Sequence, residues 1–495
     1  MNGARAIALI AALAPAIGGC GNDGVILRPV LDLPPDGSEA YPFGAFDTFS
    51  FSIARVGDDN ALLERQIPFG DPLTLDPIPV ADGLVYHLSG LVNGGEIAYG
   101  RTCPFNITPE GPTIDDPHLY FSRIVKWGVG PVPGSPGRKD AAAWALPDGS
   151  AAFAGGLGDN TIERFDPLGT GRFRTLDGTV LDRTGAVLTP LDNAPGDDPR
   201  ALLIGGIDSD GAAVPLIEVL APTRATVIEP AVDGPALVGH AAATLVDGSV
   251  VVIGGRTQAR PVDPLMVSGE VWLLTFGDGG VLDAPRRLAV QLGQPRELHT
   301  ATRLGNGVGA DVLIIGGRDG SGDPVARAEL YRPLRETVEP LPSALLQIPR
   351  WSHAAVRLPG GFILVVGGYT KDLSGATVRV ADLELYDPVQ GTFSLAGVLP
   401  VGAGLTDMSV TPLPDGRVLL AGGLDADGNA VNTALIARLD PFNGQVDISV
   451  TNPLDTPRAG HNAVVLCDGT VMVVGGSDVP DLPAERYNPP SADRR

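Results

Sequence analysis

Four histidines recur along this chain, and each stands at the start of an apolar stretch. Asp140 and Asp407 stand at positions that the sequence suggests are equivalent, and an arginine precedes three of the histidines by three residues. If these stretches line a common axis, the imidazoles form a ring that could hold a transition metal. Packing between copies of a repeat explains a recurring residue more simply. We therefore expect a structural role and no metal for this set: His240, His299, His353 and His461, preceded by Arg296, Arg350 and Arg458.

Alternating carboxylates before a glycine form a second candidate site. They occur in the segments 208–211, 319–323 and 425–429, with Asp208, Asp210, Asp319, Asp323, Asp425 and Asp427 as the acids. This spacing is similar to the start of a calcium loop, but the third ligand and the distal glutamate of such a loop are missing. Asp-Gly is also a common hairpin turn, so the sequence favours turns.

Other catalytic motifs are not visible, and the composition excludes one class of partner. The sequence contains no nucleophile elbow, phosphate-binding loop or His-Glu-x-x-His motif. The net charge is −23 and the pI is near 4.5, whereas nucleic-acid binding needs clustered Lys and Arg. We therefore expect no nucleic-acid partner, no cofactor and no catalytic residue.

A repeat organises the C-terminal three quarters of the chain. Apolar stretches end in paired glycines that recur every 49–62 residues. Periods of this length are typical of propellers and solenoids. Asp-Gly turns precede several of these stretches, helical periodicity is missing, and four strands fit each unit, which favours a propeller blade. The pairs are Gly155-Gly156, Gly205-Gly206, Gly254-Gly255, Gly316-Gly317, Gly367-Gly368, Gly422-Gly423 and Gly475-Gly476.

An aromatic residue and a glutamate follow the glycines at fixed spacing. The aromatic position holds Phe165, Trp272, Tyr331, Tyr386 and Tyr487, with Leu220 and Leu439 as departures. Two residues earlier stand Glu163, Glu218, Glu270, Glu329, Glu384 and Glu485, with Ala437 as the exception. We expect the recurring arginines and glutamates to form ion pairs between adjacent repeats.

With these motifs, residues 138–489 resemble the kelch repeat. The resemblance implies an all-β fold, a seven-bladed kelch-type β-propeller over residues 118–495, in which a strand from 118–129 completes the last blade. Kelch propellers include copper-radical oxidases that resemble galactose oxidase, whose chemistry needs a Cys-Tyr crosslink, two histidines and a further tyrosine. That set is not visible here, because Cys103 lies outside the repeats and Cys467 stands beside a hairpin turn.

The first residues resemble a bacterial lipoprotein signal. A positive start and a short apolar run lead to Ile17-Gly18-Gly19-Cys20, which predicts a signal peptide over 1–19 and a lipidated Cys20. An ordinary secretory signal is the alternative. Asp does not follow Cys20, so we expect an outer-membrane lipoprotein, on the periplasmic side or the cell surface, held by its lipid alone. Later apolar runs are too short to span a bilayer, which takes about 18 residues.

Between this signal and the repeats, we expect two further segments. Residues 20–40 read as the lipidated cysteine and a tether. Residues 41–117 alternate apolar and polar residues with turn signals between, which predicts a small immunoglobulin-like β-sandwich. Cys103 and Cys467 are a candidate disulfide, with two separate buried thiols as the alternative.

These observations predict a binding module. We expect a monomeric, lipid-anchored protein of the cell envelope that presents propeller loops to an unidentified protein or glycan; a kelch-type carbohydrate-active enzyme or oxidase is the alternative. The recurring residues are explained by the scaffold, so a local function should lie where the copies differ. Those segments are 170–199, 256–264, 304–310 and 371–376.

Overall fold

A computed structural model gives the fold of most of the chain. It describes residues 25–58, 60–71, 77–135, 138–156, 159–191, 200–221, 226–227, 232–258, 263–277, 281–477, 479 and 481–490. Within these ranges the protein is all-β, with a short 3-10 turn at Pro359–Gly361. The described helical content includes no segment that could cross a bilayer. The predicted signal peptide and Cys20 lie outside the described residues.

The N-terminal strands form one hydrogen-bonded network. The order β3-β2-β4-β5-β9 is extended by β6 on β4 and β7 on β6. In β2, Phe49, Phe51 and Ile53 are buried while the residues between them are half-exposed, as period-two alternation predicts. The two-sheet sandwich stays a prediction. The bounds are β1 Val30–Asp32, β2 Thr48–Arg55, β3 Leu63–Pro68, β4 Ala81–Val92, β5 Gly95–Arg101, β6 Phe105–Thr108, β7 Gly111–Pro112, β8 His118–Tyr120 and β9 Ser122–Arg123.

The segment expected to be a tether is packed from residue 25 onward. β1 pairs in parallel with β8. Leu27 is buried in the N-terminal core, and the Tyr86 hydroxyl donates to its carbonyl oxygen at 3.0 Å. The tether prediction is therefore wrong for residues 25–40, because this stretch supplies apolar side chains to the core.

Seven antiparallel sheets follow in the described chain, here called sheets 1 to 7. Sheet 1 comprises β11 Ala142–Ala145, β12 Ala151–Ala154, β13 Thr161–Asp166 and β14 Arg172–Thr179. Sheet 2 comprises β15 Val187–Leu191, β16 Arg200–Ile204 and β17 Leu216–Ala221, with both β18 Thr226–Val227 and β19 Val232–Asp233 on β17. Sheet 3 comprises β21 Ala241–Thr244, β22 Val250–Ile253, β25 Glu270–Leu274 and β26 Arg286–Gln291.

The remaining sheets repeat this order. Sheet 4 comprises β27 Thr300–Arg303, β28 Val312–Ile315, β29 Arg327–Arg332 and β30 Thr337–Leu345. Sheet 5 comprises β31 Ala354–Arg357, β32 Ile363–Val366, β35 Asp382–Asp387 and β36 Thr392–Val398. Sheet 6 comprises β37 Ser409–Pro412, β38 Val418–Ala421, β39 Ala434–Asp440 and β40 Gln445–Val450. Sheet 7 comprises β41 Asn462–Val465, β42 Val471–Val474, β43 Glu485–Asn488 and β10 Lys126–Val129.

Short strands in the connections near two of the glycine pairs form two small additional sheets. β20 Leu237–Val238, β23 Arg256–Thr257 and β24 Met266–Val267 form a small sheet beside sheet 3. β33 Tyr369–Lys371 and β34 Thr377–Arg379 form a hairpin beside sheet 5.

The last four residues of each second strand are apolar because the strand is covered on both faces. The four residues of β22 are all 0% exposed, and those of β28 are too. Side chains from sheets 3 and 4 share one core cluster, and those from sheets 4 and 5 share another. A continuous apolar run is typical of a strand packed between two neighbouring sheets.

The first strands of the seven sheets contact each other in a closed cycle. β11 contacts β15, and the contacts continue through β21, β27, β31, β37 and β41 back to β11. In sheet 7, β10 pairs with β43, so an N-terminal segment supplies its outer strand. This outer strand, β10, is shorter than the predicted segment 118–129. Of the rest of that segment, β8 pairs with β1, and β9 joins the N-terminal sheet.

The N-terminal sheet is fastened to sheet 7. A disulfide joins Cys103 to Cys467, with their Cα atoms 5.1 Å apart. Beside it, Arg101 Nη2 donates to the Cys467 carbonyl oxygen at 2.7 Å. The buried Asn488 side chain donates to the carbonyl oxygens of Tyr99 and Ser122 at 2.8 and 2.9 Å.

Candidate functional site

The strands of each of the seven sheets run between two ends, and the loops at these two ends carry different residues. Each second strand finishes on a glycine pair, and the connection from one sheet to the next arrives at the same end because the strands are antiparallel. We call this the glycine end. A Cβ at Gly316 would lie 2.5 Å from the Arg350 carbonyl oxygen, and one at Gly317 would lie 2.7 Å from the Glu297 carbonyl oxygen. Both glycines have positive φ, so the pair permits a close approach that other residues cannot make.

The recurring histidines lie between neighbouring sheets. His353 Nε2 is 3.1 Å from Thr300 Oγ1 in the preceding sheet, and His461 Nε2 is 3.0 Å from Ser409 Oγ. His240 is buried, and neither of its ring nitrogens has a hydrogen-bond partner among the described residues. Burial lowers the pKa of His240 to about 4 and that of His353 and His461 to about 3. Three or more metal-binding side chains do not converge anywhere in the described part of the chain.

The two aspartates assigned to the histidine position occupy the preceding position instead. Asp140 and Asp407 have φ of 50° and 54°, matching Ser352, which directly precedes His353. The residue that takes the place of the histidine in sheet 6 is Met408, whose Cε would lie 2.9 Å from a Cβ at Gly367. The prediction was therefore wrong by one residue, because it ignored the left-handed residue before the strand. Asp140 lies at the glycine end, where burial and the nearby Asp407 raise its pKa.

The Arg-Glu ion pairs form, but within one sheet. Arg350 Nη2 is 2.8 Å from Glu384 Oε1, and its Nη1 donates to the carbonyl oxygens of Gly367 and Asp382 at 3.2 and 2.7 Å. Glu384 also accepts from the main-chain N–H groups of Gln347 and Ile348. The expected pairing between adjacent repeats is wrong, since both charges belong to sheet 5. The pair instead ties the connection that arrives from sheet 4 to the sheet that it enters.

Two members of this set were missed by the sequence argument. The pairs are Arg138–Glu163, Arg183–Glu218, Arg296–Glu329, Arg350–Glu384 and Arg458–Glu485. Arg138 and Arg183 stand three residues before an alanine at the histidine position. A motif anchored on the arginine, without the histidine, would have found them.

The acidic turns use their first carboxylate to close the turn. Asp319 Oδ1 accepts from the N–H groups of Ser321 and Asp323 at 2.9 and 3.0 Å. Asp208 and Asp425 make the same two bonds in their own turns. The arrangement therefore matches the hairpin-turn interpretation, in which these oxygens serve the backbone.

One sector of the glycine end departs from the repeat. Arg256 Nε lies 2.6 Å from Glu297 Oε2, and Arg318 Nε donates to Glu297 Oε1 at 2.9 Å. The Arg318 guanidinium lies 5.8 Å from the centre of the Trp351 ring. Trp351 stacks on Tyr369 with centroids 6.0 Å apart. We call Arg256, Glu297, Arg318, Trp351, Tyr369 and Arg379 the charged-aromatic sector.

In sheets 2 and 6 the corresponding positions are small or apolar, as in the bridge between Thr184 and Ile207. Backbone bridges pair Glu297 with Arg318 and Trp351 with Tyr369, and the same bridge in sheet 6 pairs Thr406 with Leu424. Arg379 extends the sector towards sheet 6, since its guanidinium lies 5.3 Å from the Tyr369 ring and its Nε donates to Thr406 Oγ1 at 3.3 Å.

A cavity of about 650 Å³ lies in this sector between sheets 3 and 4. Arg256, Glu297 and Arg318 line it together with Gln294, the turn 319–322 and the strand residues Met266 and Val267. Met266 is 65% exposed and stands at the rim. A second cavity, about 390 Å³ and lined by Leu358, Pro359, Pro412, Leu413 and Pro414, lies at the opposite end between the first hairpins of sheets 5 and 6.

The four segments in which the repeats differ are not all at the same end of the sheets. Arg256 and Lys371 belong to the segments 256–264 and 371–376, and both lie at the glycine end. The segment 304–310 lies at the opposite end, where Asn306 accepts from Arg357. The segment 170–199 forms much of β14 and β15. Residues 192–199 and 259–262 lie outside the described residues.

Comparisons with known proteins give little beyond the fold. No protein-family model matches this chain, and no curated protein matches it. Among solved structures, the chain is similar to one described as "Structure of YjhT", at 15% identity and a TM-score of 0.47, covering 65% of this chain and 100% of that chain. A similarity this distant carries no argument about function.

Removing one partner of a buried Arg-Glu pair should destabilise the protein strongly. Glu384→Gln leaves Arg350 charged and buried, so we expect the free energy of unfolding to fall by about 3–5 kcal/mol. The matched control is Glu336→Gln, whose pair with Arg286 is exposed and should contribute little. Urea denaturation of both variants checks this; equal midpoints would contradict the structural role of the pair.

The buried histidines should make stability depend on pH below about 6.5. The unfolded chain binds a proton on His240 there, while the folded chain does not until about pH 4, so stability falls as the pH falls. His240→Met, which copies Met408, should flatten this dependence by about 1.4 kcal/mol per pH unit. Denaturant titrations across this pH range measure the slope.

A control of opposite sign is available at His118, whose pKa is raised, chiefly by its hydrogen bond to Asp32. Protonation of this histidine stabilises the folded chain below its unfolded pKa, and that contribution is lost as the pH rises. His118→Asn should therefore leave the slope below about pH 6.5 unchanged and remove a loss of stability that occurs above it. A His240→Met slope identical to that of the parent protein would show that His240 is not neutral when folded.

Proposed function

We propose that residues 118–495 form a seven-bladed kelch-type β-propeller preceded by an immunoglobulin-like β-sandwich. The cycle of contacts between the seven first strands supports this proposal. So do the recurring glycine pairs and the pairing of β10 with β43, which brings an N-terminal strand to the last sheet. Because β10 completes the last sheet, the ring closes without the unpaired strand edges that a split ring would expose.

The chain is further proposed to be a bacterial lipoprotein of the outer membrane, anchored through Cys20. Support comes from the signal-like residues 1–19 and the Gly-Gly-Cys sequence that ends them. A disulfide between Cys103 and Cys467 is compatible with the oxidising environment outside the cytoplasm.

Lipidation can be tested directly on the full chain. In bacteria fed a radiolabelled fatty acid, the parent protein should carry the label and Cys20→Ser should lose it while retaining its signal peptide. Cys103→Ser is the matched control, because it also removes a thiol but should keep the label. A label that survives Cys20→Ser would exclude the anchor.

The propeller is proposed to act as a non-enzymatic, monomeric binding module for a protein or glycan. One observation carries this proposal. In the charged-aromatic sector the residues depart from the repeat, and two arginines with about a third of their side chains exposed line a cavity of about 650 Å³. Sites of this size, with a few convergent polar groups, are typical of ligand binding. The recurring histidines and ion pairs are occupied in holding the sheets together.

Site-specific photocrosslinking in intact envelopes tests where the partner binds. A photoreactive residue at Met266, beside the cavity, should give adducts with a protein or glycan, while one at Phe442, which is 97% exposed at the opposite end, should not. The captured partner should then bind the purified protein, and more weakly when Arg379→Ala is introduced. Adducts from Phe442 alone, or stoichiometric copper with sugar oxidation in the purified protein, would overturn the proposal.

A further inference from the structure

The cavity between sheets 3 and 4 is built around a buried carboxylate. Glu297 is 3% exposed, and it lies at the end of the connection that enters sheet 4. Arg256 approaches one of its oxygens from the connection after β22, and Arg318 approaches the other from the connection after β28. One side chain thus fixes two guanidinium groups that come from different sheets.

Both arginines meet Glu297 through Nε, which leaves their outer nitrogens available. The side chains of Arg256 and Arg318 are 31% and 33% exposed. Among the described residues, the Nη groups of these two arginines have no hydrogen-bond acceptor. The Arg318 guanidinium also lies over the Trp351 ring, 5.8 Å from its centre. The result is a pair of partly exposed guanidinium donor forks that line the cavity.

We propose that this cavity binds a carboxylate group of the ligand, a deduction that rests on the binding-module function proposed above. A guanidinium presents parallel N–H donors at the spacing of the two oxygens of a carboxylate, and such paired, charge-assisted hydrogen bonds are strong and directional. The turn 319–322 and Gln294 line the same cavity and add polar residues to its wall.

The charge balance favours a carboxylate over a phosphate. Glu297 and Asp319 line the cavity with the two arginines, so two positive side chains already face two negative ones. A dianionic phosphate loses more hydration than a carboxylate on entering the cavity, and the described lining holds no third cation to offset that cost. Among the described residues, Lys371 is engaged with Asp323 at 2.6 Å and does not line the cavity.

Calorimetric titration with matched probes tests the proposal on the full chain. Glucuronate, glucose and glucose 6-phosphate carry a carboxylate, a neutral group and a phosphate at the same carbon, and N-acetylglutamate amide offers the carboxylate of an acidic side chain. We expect the carboxylate probes to bind and glucose to bind far more weakly. Glucuronate and the glutamate probe then separate an acidic sugar from an acidic peptide as the source.

Variants decide whether the forks bind the probe. Arg318→Lys keeps the charge but not the fork and should weaken carboxylate binding about tenfold or more. Arg286→Lys, in the exposed pair with Glu336, is the control and should change nothing. Glu297→Gln makes the cavity more positive but releases both forks, so it should also weaken binding; tighter binding would mean attraction by charge alone.

Two outcomes overturn the carboxylate assignment. If neither carboxylate probe binds, or if glucose 6-phosphate binds more tightly than glucuronate, the cavity does not have the proposed specificity. Either result leaves the binding module standing if Met266 still gives adducts. Loss of those adducts together with intact carboxylate binding would instead remove the binding module and keep the site.

Discussion

A charge removed from water must be paired, and this requirement fixes how each sheet joins the next. Arg350 and Glu384 are both 0% exposed. Every group around them is used: the arginine donates to two carbonyl oxygens, and the glutamate accepts from two N–H groups of the incoming connection. An isolated buried charge costs several kcal/mol, so the connection cannot shift without losing several bonds together. The geometry of the glycine end follows from this restraint.

The two sheets without the pair respect the same rule in different ways. In sheet 6 both members change at once, to Leu405 and Leu435, so no charge is left buried. In sheet 3 Leu237 takes the place of the arginine, and Trp272, which pairs with Val252, takes the place of the glutamate. Glu270 lies two residues earlier, where it is partly exposed and pairs with Arg287 at 2.9 Å. Replacing both partners of a buried pair can be nearly neutral, whereas removing one is costly.

Local pattern predicted the elements well because each second strand is unmistakably apolar and ends on glycines. It predicted side-chain partners less well. The assignment of Asp140 and Asp407 failed by one residue, since only the backbone reveals that a left-handed residue precedes each first strand. The Arg-Glu pairs were predicted, but between adjacent repeats and not within one repeat. Sequence spacing does not show whether an arginine in a connection packs on the sheet before it or on the sheet after it. The stacking of Arg318 on Trp351 depends on two sheets meeting and had no local signal at all.

The same Arg-Glu chemistry is sealed in one place and partly exposed in another. Glu297 is buried almost as deeply as Glu384, and both meet arginine. Arg350, the partner of Glu384, is sealed: its Nη1 donates to two backbone carbonyl oxygens, and its Nη2 donates to Glu384. The partners of Glu297 come from variable connections and keep about a third of their side-chain surface exposed. The five sealed pairs do not include Glu297, so a change in Arg256 or Arg318 leaves all five of them in place. Residues in such connections, which do not take part in the sealed pairs, are the ones in which repeats can differ and binding specificity can change.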